Sequence, residues 1–293
     1  KTPSVKILNF GDVMFDRGVR TIIENKGRDP LEYIKKDLDL LKGNDVFLVN
    51  LEGPIVVMDR SLCQQKAYNF QFAHDTVNRL ESIGVNMVTL ANNHSYDCYK
   101  QGFESTKNFL ASSSIEYIGD SVLEKSFLIK EISGKKVAFI GMDETVQIVP
   151  LSKFYPLIRK LKTENDLVVV NIHGGKEYLL NNDSNQQAIA HRLIDEGADV
   201  VFGHHPHVVQ NMEVYKGKAI FYSLGNFVFD QNFGDTTVGL GVKAEFKEEE
   251  TIFELFPFNM KLFAPDLMKG EEREKFCKRY IKDLEHKNCV FKI

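Results

Sequence analysis

The residues with the greatest chemical capacity lie in the stretch Asp199–His207, DVVFGHHPH. An apolar run, Val200, Val201 and Phe202, opens into Gly203 and then His204, His205, Pro206 and His207, so three of the eight histidines fall within four positions. Loops at the carboxyl ends of strands are where α/β folds place their ligands. A solvated loop has no need of clustered imidazoles, whereas a divalent metal site does. The same pattern recurs elsewhere: Asp12 follows VKILNF (5–10), Glu52 follows VFLVN (46–50), Asn93 and His94 follow MVTLA (87–91), and His173 follows LVVVNI (167–172). Taken singly, each has a structural alternative. Asp12 beside Gly11 can shape a turn, Glu52-Gly53-Pro54 can be one, Asn93 can cap, and His94 can be a satisfied core histidine. Their recurrence at strand ends argues otherwise, because a mostly parallel sheet lines such ends up along one edge. Carboxylates, an amide oxygen and imidazoles then form a mixed oxygen and nitrogen set suited to zinc, manganese or iron.

The elements that must position these groups follow a regular α/β order. Near-continuous apolar runs at 46–50 and 167–172 read as buried strands, and KVAFIG (136–141) reads as another. Helical spacing is expected over 30–41, with Pro30 suited to a first turn. A helix capped by Asp75 runs to a stop at Gly84. Further helices are expected around 101–111 and 184–196. AIFYSLGNFVF (219–229) and VGLGVKAEF (238–246) look like sheet, with TIFELFPF (251–258) as an antiparallel partner. A Lys- and Glu-rich surface helix is expected at about 266–287. No repeat or linker divides the chain, so one domain over 1–293 is the expectation.

Composition excludes several classes. A formal charge of -4 and a pI near 6.1 provide no broad basic surface for nucleic acid. No apolar run approaches the length of a membrane span. Cys63, Cys98, Cys277 and Cys289 form no close metal-binding pair; their spacings permit one or two disulfides without requiring either. Cys98, four residues after His94, could be a free thiol near a metal, although a buried structural cysteine is the commoner reading. The chain starts at Lys1, which is compatible with a removed signal or anchor.

Five segments carry a family resemblance: NFGDVMFDRG (9–18), LVNLEGPI (48–55), LANNHSYD (90–97), NIHGGKEY (171–178) and GHHPHVVQNMEVYKGKAIFYSLGNFVFDQ (203–231). In this order they resemble the bacterial capsule, or poly-γ-glutamate, biosynthesis proteins of the CapA family, which are related to calcineurin-like metallophosphatases. The resemblance implies a four-layer α/β/β/α sandwich and a centre for one or two divalent metal ions (Zn, Mn or Fe). It implies Asp12, a bridging Glu52, Asn93, His173, His205 and His207 as metal ligands, with His204 as the alternative to His205. The phosphatase pattern places a histidine two positions after the first aspartate, where this chain has Met14. A thioether is a poor ligand for such ions, so the Asp12 side is expected to be short of one group.

In a catalytic reading, His94 protonates a leaving oxygen or positions substrate, Arg17 neutralises a phosphate or carboxylate, and Asp97 orients His94. Lys66 could add a second positive group, but a solvated lysine is the preferred reading. The resemblance further implies a cell-surface or extracytoplasmic, metal-dependent hydrolase-like protein, anchored to the membrane through a segment outside this chain. Its implied partners are an anionic polymer such as poly-γ-glutamate and membrane-associated capsule synthesis proteins. Two alternatives stand beside that reading: a non-enzymatic polymer-binding or assembly component of a synthesis or export complex, and a phosphoesterase sharing the fold.

Overall fold

Side-chain alternation along the strands sorts the chain into layers. In the computed structural model, which describes residues 4–293, the first sheet begins with β1 (Val5–Val13), β2 (Val46–Leu51), β3 (Met87–Thr89) and β4 (Glu116–Ile118), each parallel to the next. A second sheet follows, from β5 (Phe127–Ile132), β6 (Lys135–Asp143), β7 (Leu167–His173), β8 (Val200–His204), β9 (Met212–Tyr215) and β10 (Lys218–Phe221), in the order β5-β6-β7-β8-β10-β9. The chain then returns to the first sheet with β11 (Asn226–Val228), β12 (Val238–Phe246), β13 (Thr251–Lys261), β14 (Ala264–Leu267), β15 (His286–Lys287) and β16 (Val290–Lys292).

Val5, Ile7, Val46 and Leu48 of the first sheet share a core with Val137, Phe139, Val169 and Phe202 of the second, so the sheets pack face to face. Their neighbours Leu8, Phe10, Val49 and Val88 point the other way. These pack with Val19 of α1 (Arg17–Lys26), Leu41 of the single-turn α2 (Leu38–Leu41), Leu80 of α3 (Thr76–Glu81) and Phe103 of α4 (Tyr99–Ala111). On the far side, Ala138, Ile140, Val168 and Val170 meet Phe154, Ile158 and Leu161 of α5 (Leu151–Glu164) and Leu193 of α6 (Ser184–Asp195). Three cores separating four layers make this an α/β/β/α sandwich, as the resemblance implies.

Several elements depart from expectation. The helix expected over 30–41 is reduced to a 3₁₀ turn at Ile34–Asp37 and the single turn α2. Asp29 takes the Leu31 N–H and the Lys35 ammonium there, and such local bonds compete with helix formation. Helix α5 contains Pro156 yet forms, because Phe154, Ile158 and Leu161 are buried against the sheet. The expected surface helix at 266–287 is shorter and half-sunk: α7 (Gly270–Tyr280) buries Phe276 and Cys277, and β15 and β16 follow. The β12–β13 pairing is as read.

The stretch 219–229 is not one strand. Its two halves belong to different sheets, and Tyr222–Gly225 carries the chain across the sandwich. Leu224 N–H donates to Gly203 O (3.1 Å), and Asp12 N–H donates to Gly225 O (3.0 Å), so the crossing segment ties β8 to β1. The approach is too close for side chains. A Cβ on Gly11 would lie 1.8 Å from Gly225 O, and one on Gly203 would lie 1.9 Å from Tyr222 O.

Gly11→Ala and Gly203→Ala should each cost about 3 kcal/mol or more, since backbone rather than a flexible side chain must give way. Gly27→Ala, at φ 59 with nothing nearby, should cost about 1 kcal/mol from backbone strain alone. Denaturant unfolding checks this; equal losses at all three positions would refute the account of the crossing.

Candidate metal centre

The carboxyl ends of β1, β2, β7 and β8, with the loop after β3, meet at one edge of the sandwich. Asp12 ends up 3.4 Å from His204 Nδ1 and 3.3 Å from His207 Nδ1. His207 Nε2 lies 3.7 Å from Glu52 Oε1, and His173 Nε2 lies 2.9 Å from Asn93 Oδ1. The His173 and His205 rings are 4.7 Å apart. Two sets of three have donor atoms mutually within 4.8 Å: Asp12, Glu52 and His173, and Glu52, His205 and His207. Glu52 belongs to both. His205 and His207 hold left-handed backbone conformations (φ 98 and 58), a strain typical of functional loops.

Among the described residues, Glu52 Oε1 and His205 Nδ1 are buried without a hydrogen-bond partner, and His204 Nδ1 has only the Asp12 carboxylate at 3.4 Å. Unpaired buried polar atoms are costly, and their convergence with this donor set fits a divalent cation. His204 competes less well than His205 as a ligand, because its Nε2 is tied to Asn171 Oδ1 (3.2 Å) and it belongs to neither three-residue set. Met14 is buried with its sulfur accepting the Asp16 N–H (3.1 Å), outside the centre. The His207 imidazole lies beside Asp12, its Nδ1 3.3 Å from Asp12 Oδ2.

Electrostatics match this picture. Burial alone would raise Asp12, but its bonds to His204 and His207 outweigh that and hold it well below the usual carboxylate range. Burial and the nearby Asp12 charge push Glu52 well above its ordinary value. The two buried carboxylates are thus pushed in opposite directions, Asp12 toward its ionised form and Glu52 toward its neutral form. Burial, with His205 beside it, keeps the His173 ring neutral. Burial, with His207 beside it, lowers His205 to about 4.

Asparagines form the framework that the sequence reading did not single out. Asn50 Nδ2 contacts Asp12 Oδ1 (2.8 Å), His173 Nδ1 (3.2 Å) and Glu52 Oε2 (3.4 Å), while its Oδ1 accepts from Asn92. Asn226 Oδ1 meets His207 Nδ1 (3.0 Å). The available signal was a polar residue inside an apolar strand: Asn50 in VFLVNL and Asn226 in NFV.

His94, Asp97 and Arg17 gather at the mouth. His94 Nδ1 bonds Asp97 Oδ2 (2.7 Å), and Phe70 stacks on the ring at 4.0 Å. Burial lowers the His94 pKa against the opposing pull of Asp97. Lys66 is exposed, as expected, but it is not unpaired: its Nζ is 2.5 Å from the buried Asp97 Oδ1. Nor is Cys98 a free thiol, since it bonds Cys63, and Cys277 bonds Cys289. The Cys63–Cys98 link, the Arg60–Asp16 pair and the bonds from Phe70 N and Gln64 N to Asp97 hold a strap of residues 58–71 over the His94 side. Arg17, at φ 51, pairs with Asp230 (3.1 Å) and lies over the Tyr68 and Phe70 rings.

By its fold the chain is a four-layer α/β/β/α sandwich with a buried cluster of carboxylates and imidazoles at its strand ends. It belongs to the bacterial capsule synthesis protein PGA_cap family, whose sequence profile matches residues 6–231. It is 30% identical to the PGA biosynthesis protein CapA of Bacillus subtilis (strain 168), over 92% of this chain and 78% of that protein. It is 32% identical to the capsule biosynthesis protein CapA of Bacillus anthracis, over 87% of this chain and 67% of that one. Among solved structures, a hypothetical protein from Thermus thermophilus aligns with a TM-score of 0.48 at 17% identity, covering 89% of this chain and 96% of its own.

Because burial and Asp12 push the Glu52 pKa above the ordinary carboxylate value, metal binding should release a proton from Glu52 at mildly acidic pH, where a carboxylate of about 4.3 has little to give. The release should grow as pH falls toward the raised pKa, and Glu52→Gln should reduce it. Calorimetry in buffers of different ionisation enthalpy measures this directly. Replacing Cys63 and Cys98 together by Ser should cost about 3 kcal/mol and open residues 58–71 to proteolysis, with bound metal retained. An unchanged digestion pattern would show that the strap does not depend on that bond.

Proposed function

We propose that this member of the capsule synthesis family is an extracytoplasmic, metal-dependent hydrolase-like protein that acts on an anionic polymer such as poly-γ-glutamate. The observation that carries the proposal is Glu52: a fully buried carboxylate common to two ligand sets, with one oxygen left unpartnered beside a buried histidine–aspartate pair. Asp12, Glu52, Asn93, His173, His205 and His207 would hold one or two ions of Zn, Mn or Fe. When bound, such an ion polarises the attacked group and acidifies water enough for hydrolysis near neutral pH.

The chain's own groups do the rest. Asp97 accepts the Nδ1 proton of His94, which fixes the tautomer and leaves the Nε2 lone pair facing the mouth. There Nε2 takes a proton from the attacking water and passes it to the amide nitrogen as the carbon–nitrogen bond breaks. Lys66 compensates the charge of Asp97, and Phe70 excludes water from one face of the imidazole. Pairing of all four cysteines supports an oxidising, extracytoplasmic compartment. No helix among the described residues is long and apolar enough to cross a membrane.

The test pairs metal counting by plasma mass spectrometry with chain-length analysis of poly-γ-glutamate. His173→Ala should lower the bound metal and abolish cleavage. His94→Ala should keep the metal and slow cleavage by about 10²–10⁴. Metal retained with no cleavage of γ-glutamyl chains would overturn the hydrolase reading in favour of a polymer-binding assembly component. Cleavage of phosphodiesters alone would make it a phosphoesterase.

A further inference from the structure

Four aromatic side chains are exposed among the described residues: Tyr68, Tyr99, Tyr178 and Phe233. Three of them border the candidate centre. Tyr178 sits 6.3 Å from the His207 ring and 5.3 Å, edge to face, from Phe233. Its hydroxyl accepts from Gln231 Nε2 (3.1 Å). The residue before Gln231, Asp230, holds Arg17, whose guanidinium lies 5.6 Å from the Tyr68 ring. Tyr68, Arg17, Tyr178 and Phe233 therefore follow one another around the opening. Large rings left in water beside a buried polar centre mark a surface made to be covered.

We infer that this arc is a binding subsite that grips an extended, γ-linked glutamate chain on either side of the reacting bond. The inference rests on the polymer-directed function proposed above and names the residues that recognise the polymer. Each unit of such a chain offers a planar amide, a methylene run and one free carboxylate. Amide planes and methylenes pack on aromatic faces, whereas the carboxylate needs a cationic fork. Arg17 engages Asp230 through Nε, and no protein hydrogen bond takes its Nη atoms among the described residues. The fork stays open to a second carboxylate. Lys66, on the strap that also carries Tyr68, is already paired with Asp97, so the positive group open at this end of the arc is Arg17. Beside Tyr178, Lys176 lies 3.6 Å from Asp183 and Glu177 adjoins the ring, so that end holds the chain chiefly by ring faces. A neutral glycan could use the rings but leaves the guanidinium without a counter-charge.

The protein contains no tryptophan, so Phe233→Trp introduces a single fluorophore within the arc. Titrating the disulfide-bonded Phe233→Trp protein with a γ-linked glutamate heptamer should shift its emission saturably. The shift should persist after the metal is stripped, because no arc residue is a proposed ligand. Adding Arg17→Gln or Tyr178→Ala should weaken binding about tenfold, the effect of losing one good contact. Bound metal and the melting temperature should not change. Heptamer binding seen by calorimetry without an emission change would overturn the inference, as would binding lost with the metal, or a response to a neutral chito-oligosaccharide in place of the heptamer. Metal stoichiometry and cleavage by the wild-type protein, measured alongside, show separately whether the hydrolase reading stands.

Discussion

The structure depends on one close passage of backbone. Residues Tyr222–Gly225 leave the second sheet and enter the first between Gly203 and Gly11, where a single methyl group would collide with a carbonyl oxygen. Through this passage Gly203 O and the Asp12 N–H are bonded to consecutive residues, Leu224 and Gly225. β8 carries the histidine cluster and β1 carries Asp12, so the crossing sets the separation between a carboxylate and imidazoles nearly two hundred residues away in sequence. Layers that merely packed through apolar side chains could slide by fractions of an ångström. Hydrogen-bonded backbone in van der Waals contact cannot, and a site of this kind needs that stiffness.

Around the crossing, the edge of the sandwich holds an unusual load of buried polarity. Asp12, Glu52 and Asn50 are wholly buried, and His173, His204 and His207 nearly so. Burying carboxylates without partners is costly, and the asparagine framework offsets only part of the cost. Asn50 can satisfy one oxygen of Asp12 and approach Glu52 and His173, but a neutral amide cannot neutralise two acids. The remaining unpartnered atoms and the left-handed histidines are strain that the surrounding sheets sustain. Sites tuned for chemistry are where such conflicts are expected.

The strap over His94 solves a different problem. Much of it is exposed, and its apolar support is a small cluster of Val56, Cys63, Cys98 and Met58. A cross-link beside Asp97 therefore does what packing cannot: it holds Lys66 and Phe70 against the histidine–aspartate pair. The same arrangement joins folding compartment to site assembly, since the pairing of Cys63 with Cys98 needs oxidising conditions.

Much of this was legible in the order of residues. Buried parallel strands announce themselves as short, unbroken apolar runs, and the polar residue that ends each one marks the site edge, which is why Asp12, Glu52, Asn93, His173 and the 204–207 cluster stood out together. The capped helix at 184–195 and the β12–β13 hairpin were equally plain, because their signals are local. What tertiary structure alone decided were contacts between distant segments that leave no periodic trace. Pro156 inside α5 is outweighed by an apolar face packed on the second sheet. The run 219–229 reads as one strand because nothing local reveals that its halves join different sheets. Lys66 looks like any surface lysine until Asp97, thirty-one residues on, is folded beneath it. The sequence by itself determined which groups lie at strand ends and so the chemistry available there. Folding decided their distances, partners and charge states, because these depend on the low-dielectric surroundings and backbone crossings that only the packed sandwich creates.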